Sequence, residues 1–286
     1  MSILYVVATP IGNLSDMTPR GIEILSTVDM VAAEDTRHSR GLLTHFGIKV
    51  PMYSCHKFNE EKQVDFFIKN LAAGKSIALI SDAGTPCISD PGHRLVGAVA
   101  DAGFTVVPIC GVSAVVGALS VAGFDVSKFT FVGFLPRKAK DMVVAIEKYL
   151  PGTVVFYESP KRILATLENI AASFESEIKV CLCNDLTKKY EKIYHGNIQD
   201  VIAQLQENPD YEKGEYTCVI YIETMPVATE ENAISLEAHL VDIIIKNDVT
   251  LKEAGAMLKT QLKATGKKEI YAAMLNIKQL MEVDHS

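Results

Sequence analysis

The stretch SIALISDAGTPCISDPG, residues 76–92, points to the architecture of this chain. Its first part, SIALIS (76–81), holds the unbroken apolar run IALI between two serines, the pattern of a strand buried on both faces. The rest holds Pro86, Pro91, Gly84 and Gly92 among aspartates and hydroxyls, a composition that suits a loop. A helical pattern follows from about Gly92 to Ala102. A buried strand, a polar loop and a helix together make one unit of a largely parallel α/β sheet.

The same unit recurs on either side. ILYVVA (3–8) leads into TPIGNLSD (9–16), then into a helix opened by Thr18 as cap and Pro19 at its first position, carrying Ile22, Ile24 and Leu25. MVAA (30–33) leads into EDTR (34–37) and a helix through Leu42, Leu43 and Phe46 that stops at Gly47. Asn59 is expected to cap a third helix, with Val64, Phe67, Ile68 and Leu71 on its apolar face and Gly74 at its end. FTVVPI (104–109) leads into CGVSA (110–114) and a short helix from Ser113; the strand FTFVGF (129–134) completes the run. In an open parallel sheet the carboxyl ends of the strands share one edge, and ligands bind there. Four polar loops on that edge point to a binding site.

A second α/β unit is expected from TVVFYES (153–159), a helix begun by Pro160, and the strands KVCLCND (179–185), YEKIYHG (190–196) and YTCVIYI (216–222), two of them pairing antiparallel. MPVATEEN (225–232) has the composition of a linker. Three helices are expected at about 235–247, 250–264 and 267–282, with Thr250 capping the second and Gly266 separating it from the third. The expected domains are therefore 1–118 and 119–225, both α/β, with a linker and helical module over 226–286.

Composition narrows the class. At 286 residues with 48% hydrophobic and 22% charged, the chain has about two domains' length and is neither disordered nor fibrous. The uncharged stretch Ala102–Phe124 contains Pro108 and four glycines, so it is expected to fold as strand, turn and buried helix, and not to span a membrane. Met1-Ser2 runs straight into a strand pattern without a leader-like start, and the six cysteines are expected to be free thiols in the cytoplasm. Net charge is −7, yet between Lys246 and Leu280 seven lysines face three acidic residues. That basic C-terminal stretch suits a polyanionic partner, although lysines on a helix are more often a solvated face.

Common cofactor and catalytic motifs are missing. There is no GxxxxGK[ST] and no GxGxxG, and Gly111-Val112-Ser113-Ala114-Val115 misses GxSxG at its last residue, leaving Ser113 as a helix cap. The seven histidines form no ligand-spaced pair, and the Cys181 and Cys183 thiols are expected on opposite faces of a strand, in packing; no metal is expected.

In order, TPIGNLSD, AAEDTR, SDAGTPCISDPG, GVSA, ALSVAGF, FVGFLPRK, FYESPKR and KGEY resemble the ribosomal RNA small-subunit methyltransferase I family, part of the tetrapyrrole-methylase superfamily. The resemblance runs from Leu4 to about Glu223, and more loosely to Leu275. It implies two α/β domains with S-adenosyl-L-methionine in the cleft between them, a homodimer, and methylation of the ribose 2′-hydroxyl of a cytidine in the decoding region of 16S rRNA. It also explains the absent glycine fingerprint, since this superfamily does not use the Rossmann cofactor loop. By position it assigns the cofactor to Pro10, Asp82, Ala83, Gly84, Thr85 and Ile88, with Asp90 shaping the loop; to Ser113 and Ala114; and to Tyr157, Glu158 and Leu186. Three departures stand out. Asn184-Asp185 replaces an Arg-Glu pair, Cys110 stands where a proline usually precedes the glycine turn, and Ala139-Lys140-Asp141 is less basic than in relatives.

A ribose hydroxyl attacks well only when its proton is drawn off and its oxygen is held in line with the donor methyl. The acidic candidates are Asp35 and Glu34 first, then Asp16 and Glu60, with His56 beside them. Glu34 and Asp35 equally suit a helix cap paired to Arg37. Arg37, Arg40 and His56 are candidates for substrate contact, and Lys259, Lys263, Lys267 and Lys268 for docking rRNA. Two rival readings are a tetrapyrrole-type small-molecule methylase and a non-catalytic rRNA-binding assembly factor.

Overall fold

The computed structural model describes residues 2–224, 236–261 and 267–283, with the side chains of 260, 261, 267–269 and 279–283 outside the description. The described chain divides into two units, Met1–Met225 and Pro226–Ser286.

In the first unit β1 (Ile3–Val7), β2 (Met30–Ala33), β3 (Met52–Ser54), β4 (Ile77–Ile80) and β5 (Thr105–Ile109) form a sheet in the order β3-β2-β4-β1-β5. Every neighbouring pair is parallel. Helices α1 (Pro19–Thr27), α2 (Thr36–His45), α3 (Glu60–Ala72) and α4 (His93–Asp101) cover it. Side chains alternate across a strand, so β4 feeds two layers. Ala78 and Ile80 pack with Leu25 and Leu43 of α1 and α2. Ile77 and Leu79 pack with Phe67, Leu71, Leu95 and Val99 of α3 and α4. This is why the run holds no polar residue.

Local signals hold where a side chain serves the backbone. Thr18 Oγ1 accepts the Gly21 amide, and Gly47 and Gly74 take positive φ after α2 and α3. Asn59 departs from expectation: it precedes α3 but makes no side-chain cap, because its Oδ1 accepts the His56 amide. The three-residue β3 is an unexpected strand; MYS is too short to stand out as an apolar run.

The next helix, α5 (Ala114–Ser120), contains the expected 118/119 boundary. Its Val115, Ala118 and Leu119 pack on a second sheet, against Val155, Cys181, Cys183 and Val219. That sheet has the order β6-β7-β10-β8-β9, from β6 (Phe129–Phe134), β7 (Gly152–Glu158), β8 (Lys179–Asn184), β9 (Lys192–Asn197) and β10 (Tyr216–Ile222). Only β6 and β7 are parallel; the remaining pairs are antiparallel. Its other face is covered by α6 (Ala139–Glu147), α7 (Ile163–Ser173) and α8 (Ile198–Gln206). Helices α6 and α8 are additions to the expected elements. Pro160 does not start α7: the Ser159 carbonyl accepts the amides of Arg162 and Ile163 in a turn, and the helix begins at Ile163.

One expectation is overturned outright. Residues two apart on a strand share a face, so Cys181 and Cys183 lie side by side, Sγ to Sγ 3.8 Å, with His195 Nε2 3.5 Å from Cys181 Sγ. Both thiols are buried in packing.

The second unit holds α9 (Leu236–Asn247), α10 (Leu251–Gln261) and α11 (Lys267–Val283) around Leu240, Ile243, Ala254, Leu258, Ile270, Ala273 and Ile277. Thr250 and Glu253 form a capping box: each side chain accepts the other residue's amide, at 3.4 and 2.9 Å respectively. Gly266 lies outside the described residues. No described helix is long and apolar enough to cross a membrane.

Candidate active site

At the carboxyl edge of the parallel sheet, Thr9 and Gly84 exchange backbone hydrogen bonds, N–H to O at 2.9 and 3.0 Å, and so tie the loops after β1 and β4 together. Gly84 holds φ at +76°, a conformation that a side chain resists. Thr85 Oγ1 donates to the Val112 carbonyl at 3.4 Å and brings in the turn before α5. Between these loops and the second sheet lies a cavity of about 350 Å³, within the range of small-molecule sites.

Ala83, Gly84, Thr85, Ile88, Ser113, Ala114, Tyr157, Glu158 and Leu186 all line this cavity. Of the residues assigned to the cofactor by resemblance, Pro10 and Asp82 do not; Ile11 stands in the wall beside Pro10. Ser113 caps α5, its Oγ accepting the Val116 amide at 3.5 Å. Glu158 presents little of its carboxylate. That group is fully buried, accepts from Ser159 N–H and Thr166 Oγ1, and pairs with Arg162 at 3.1 Å. Tyr157 packs edge-on to Phe131 and Phe134, and burial together with Asp90 and Glu215 pushes its hydroxyl up to about 12.

Phe134, Ser159, Pro160, Glu215, Tyr216 and Thr217 also line the cavity, and none of them is a candidate from the sequence. KGEY is a visible motif, but its location is not. Because β10 runs antiparallel to β7 with Tyr216 opposite Glu158, the start of β10 meets the end of β7. Gly214, at φ +85°, lies so close to the Asp185 carboxylate that a Cβ there would run into it. Lys188 bridges Asp185 and Glu215 at 2.7 and 2.9 Å, so the departure at Asn184-Asp185 still supplies an ion pair.

The acidic candidates separate by environment. Glu34 Oε2 accepts the Asp82 amide, and Asp82 Oδ1 accepts the Asp35 amide. Burial raises the Glu34 carboxyl above its ordinary range, with Asp90 and Asp82 adding to the effect against the Asp82 amide. Asp90, in the cavity wall, is likewise raised by burial. Asp35 is the opposite case: it caps α2 through the Arg37 amide and pairs with the Arg37 guanidinium at 3.0 Å, which pulls it down to about 2. The cap-and-pair reading of Asp35 is thus realised in the structure. Glu60 is buried, its Oε1 accepting the Arg94 and Leu95 amides at the start of α4, so that oxygen is committed to holding the helix. Asp16 ends a short 3-10 turn, Leu14–Asp16. Arg37 and Arg40 are exposed on α2, and His56 lies just after β3. Lys259 is exposed on α10, Lys263 lies outside the described residues, and so do the side chains of Lys267 and Lys268. Among the described residues no group of three His, Cys, Asp or Glu side chains is arranged to hold a metal ion.

A cavity between a parallel sheet and a mixed second sheet, walled by glycine-rich loops instead of a nucleotide fingerprint, defines the class. The chain belongs to the family of Tetrapyrrole (Corrin/Porphyrin) Methylases, whose model matches residues 3–202. Within it, the chain is 42% identical over 258 residues to the ribosomal RNA small subunit methyltransferase I of Haemophilus influenzae, covering 90% of each chain. It is 40% identical to the protein of the same name from Synechocystis sp., covering 97% of this chain and 99% of that one. In fold it matches the uroporphyrin-III-C-methyltransferase of Thermus thermophilus, with a TM-score of 0.51 at 18% identity over 77% of this chain and 94% of that one.

Proposed function

We propose that this protein transfers a methyl group from S-adenosyl-L-methionine to the ribose 2′-hydroxyl of a cytidine in the decoding region of 16S rRNA, working in the cytoplasm as a homodimer. The observation that carries this reading is the near end-to-end similarity to rRNA small subunit methyltransferases I, at about 40% identity. When bound, the donor supplies an electrophilic methyl on a sulfonium. The cavity residues suit it: Ile11, Ile88, Leu186 and Phe134 give apolar walls for a flat base, Gly84 lets the backbone come close, and Asp90 and Thr85 offer polar contacts.

Glu34 is the base in this proposal, and Asp35 an orienting group. Glu34 stands beside the cavity loop, its carboxyl made more basic by burial and by neighbouring carboxylates, which makes it a better proton acceptor. Asp35, held to Arg37, aims that guanidinium and leaves it to meet phosphate with Arg40. Lys259, Lys263, Lys267 and Lys268, in the basic C-terminal stretch, dock rRNA.

The test is single-turnover methylation with radiolabelled donor, offering undermethylated small subunits, naked rRNA and a porphyrin precursor. Alkali-stable label in rRNA is expected. Label in the porphyrin alone would overturn the reading in favour of a small-molecule methylase, and no label despite donor binding would favour a non-catalytic assembly factor.

A further inference from the structure

We propose that Phe58, backed by His56, is a stacking platform that receives a nucleobase of the RNA substrate beside the reacting ribose. That its partner is RNA rests on the methyltransferase reading given above.

Phe58 is 89% exposed, more than any other large apolar side chain among the described residues. A lone exposed apolar side chain is ordinary on a surface. Phe58 differs because its loop is built to present it. The Asn59 side chain accepts the His56 amide at 2.7 Å and donates to the Ser54 carbonyl at 3.2 Å. The amides of Asn59 and Glu60 both donate to the His56 carbonyl at 2.9 Å. Glu60 is then anchored under α4. The loop on both sides of Phe58 is therefore held, while the ring itself touches little.

The Phe58 amide donates to His56 Nδ1 at 3.2 Å. In the neutral ring this leaves the proton on Nε2, so a hydrogen-bond donor stands beside the aromatic face. The two rings lie 6.1 Å apart at 67°. Together they offer one surface for stacking and one directed donor for a base edge, the pairing used on unstacked RNA bases.

Position supplies the rest. The Cys55 amide donates to the Ala33 carbonyl at 2.8 Å, so the loop leaves the sheet beside Glu34, on the edge that carries the cavity. From Glu34 one hydrogen bond leads to Asp82, and the next residue, Ala83, is in the cavity wall. His56 lies close enough to interact with the Glu34 carboxyl. Lys57 is exposed within the loop, and Arg37 and Arg40 are exposed at the same edge, where they offer cations to phosphate; Glu61 and the paired Asp35 are the nearby acids. A base on Phe58 would put its neighbouring ribose next to the proposed base and the donor.

The chain contains no tryptophan, so Phe58→Trp introduces a single indole at this site. We expect its emission to be quenched by a single-stranded oligoribonucleotide of the decoding region and unchanged by S-adenosylmethionine alone. Phe58→Ala should raise KM for RNA by about 10- to 100-fold, with kcat and donor affinity within a few-fold of wild type. Wild-type KM in Phe58→Ala, or an indole blind to RNA that binds, would overturn the platform alone. So would an emission that shifts with protein concentration without RNA, since a second copy would then be covering the ring. A wild-type enzyme that labels no RNA would instead overturn the methyltransferase reading, and the platform with it.

Discussion

Glu34 and Asp82 bind the loops of two neighbouring strands reciprocally. The Glu34 carboxylate accepts the Asp82 amide at 3.4 Å, while the Asp82 carboxylate accepts the amide of Asp35, next to Glu34, at 3.2 Å. β2 and β4 pair in parallel up to Ala33 opposite Ile80, so this exchange continues the ladder into the loops by side chains. It holds a partly buried carboxylate close to the cavity without neutralising it with a cation.

Glu34→Gln should lower the single-turnover methylation rate by about 100-fold or more, the usual effect of losing a general base. Donor affinity should hold, because the amide oxygen still accepts from Asp82. A base acts only when deprotonated. With its carboxyl raised by burial, wild-type activity should be present at neutral pH and fall as pH drops through a midpoint above the ordinary glutamate value. A wild-type single-turnover rate in Glu34→Gln would remove Glu34 from the chemistry.

Asp35→Ala removes a helix cap and an exposed ion pair; only the cap should count, read as a lowered urea midpoint. Asp35→Asn keeps an acceptor for the Arg37 amide and should keep the stability. Both should retain kcat within about tenfold of wild type while raising KM for RNA as Arg37 loses its orientation. Collapse of kcat in Asp35→Asn would make Asp35 the base.

Arg162→Met should destabilise the first unit by about 3–5 kcal/mol, because it leaves the wholly buried Glu158 carboxylate without its cation. Arg162 also donates to the carbonyls of Leu135 and Pro136, so donor binding should weaken as the end of β6 loosens. Adding Glu158→Gln should recover part of the loss, read as a shift in the urea midpoint. No recovery would mean that the carbonyl contacts dominate.

Gly214→Ala forces a side chain into a positive-φ position against Asp185. It should cost more than about 1 kcal/mol and weaken donor binding through Glu215 and Tyr216. Equilibrium unfolding and donor titration would check both, and an unchanged donor affinity would separate this turn from the cavity wall.

Replacing Lys259, Lys263, Lys267 and Lys268 together with Ala should weaken RNA binding. It should also flatten the log-log salt dependence by about 0.7–0.9 for each phosphate that is no longer neutralised. A slope equal to that of wild type would leave these lysines as ordinary surface charge.

Much of the local grammar of this fold is legible along the chain. Buried apolar runs such as Ile77–Ile80, caps such as Thr18, and loops such as 82–92 are written in neighbouring residues, because burial, capping and turn chemistry act over a few positions. The ordered motifs also suffice to place the family, and nine of the residues assigned to the cofactor by resemblance surround one cavity. Other features depend on partners distant along the chain, and folding alone brings these together. The antiparallel pairing of β10 with β7 carries Glu215 and Tyr216 into that cavity, although nothing near them in sequence says so. Glu34 and Asp35 are adjacent and chemically alike, yet they separate because one is partly buried near Asp82 and Asp90 while the other faces Arg37 in solvent. A carboxylate's basicity is set by what surrounds it in space, and that information is absent from a string of residues until the chain has folded.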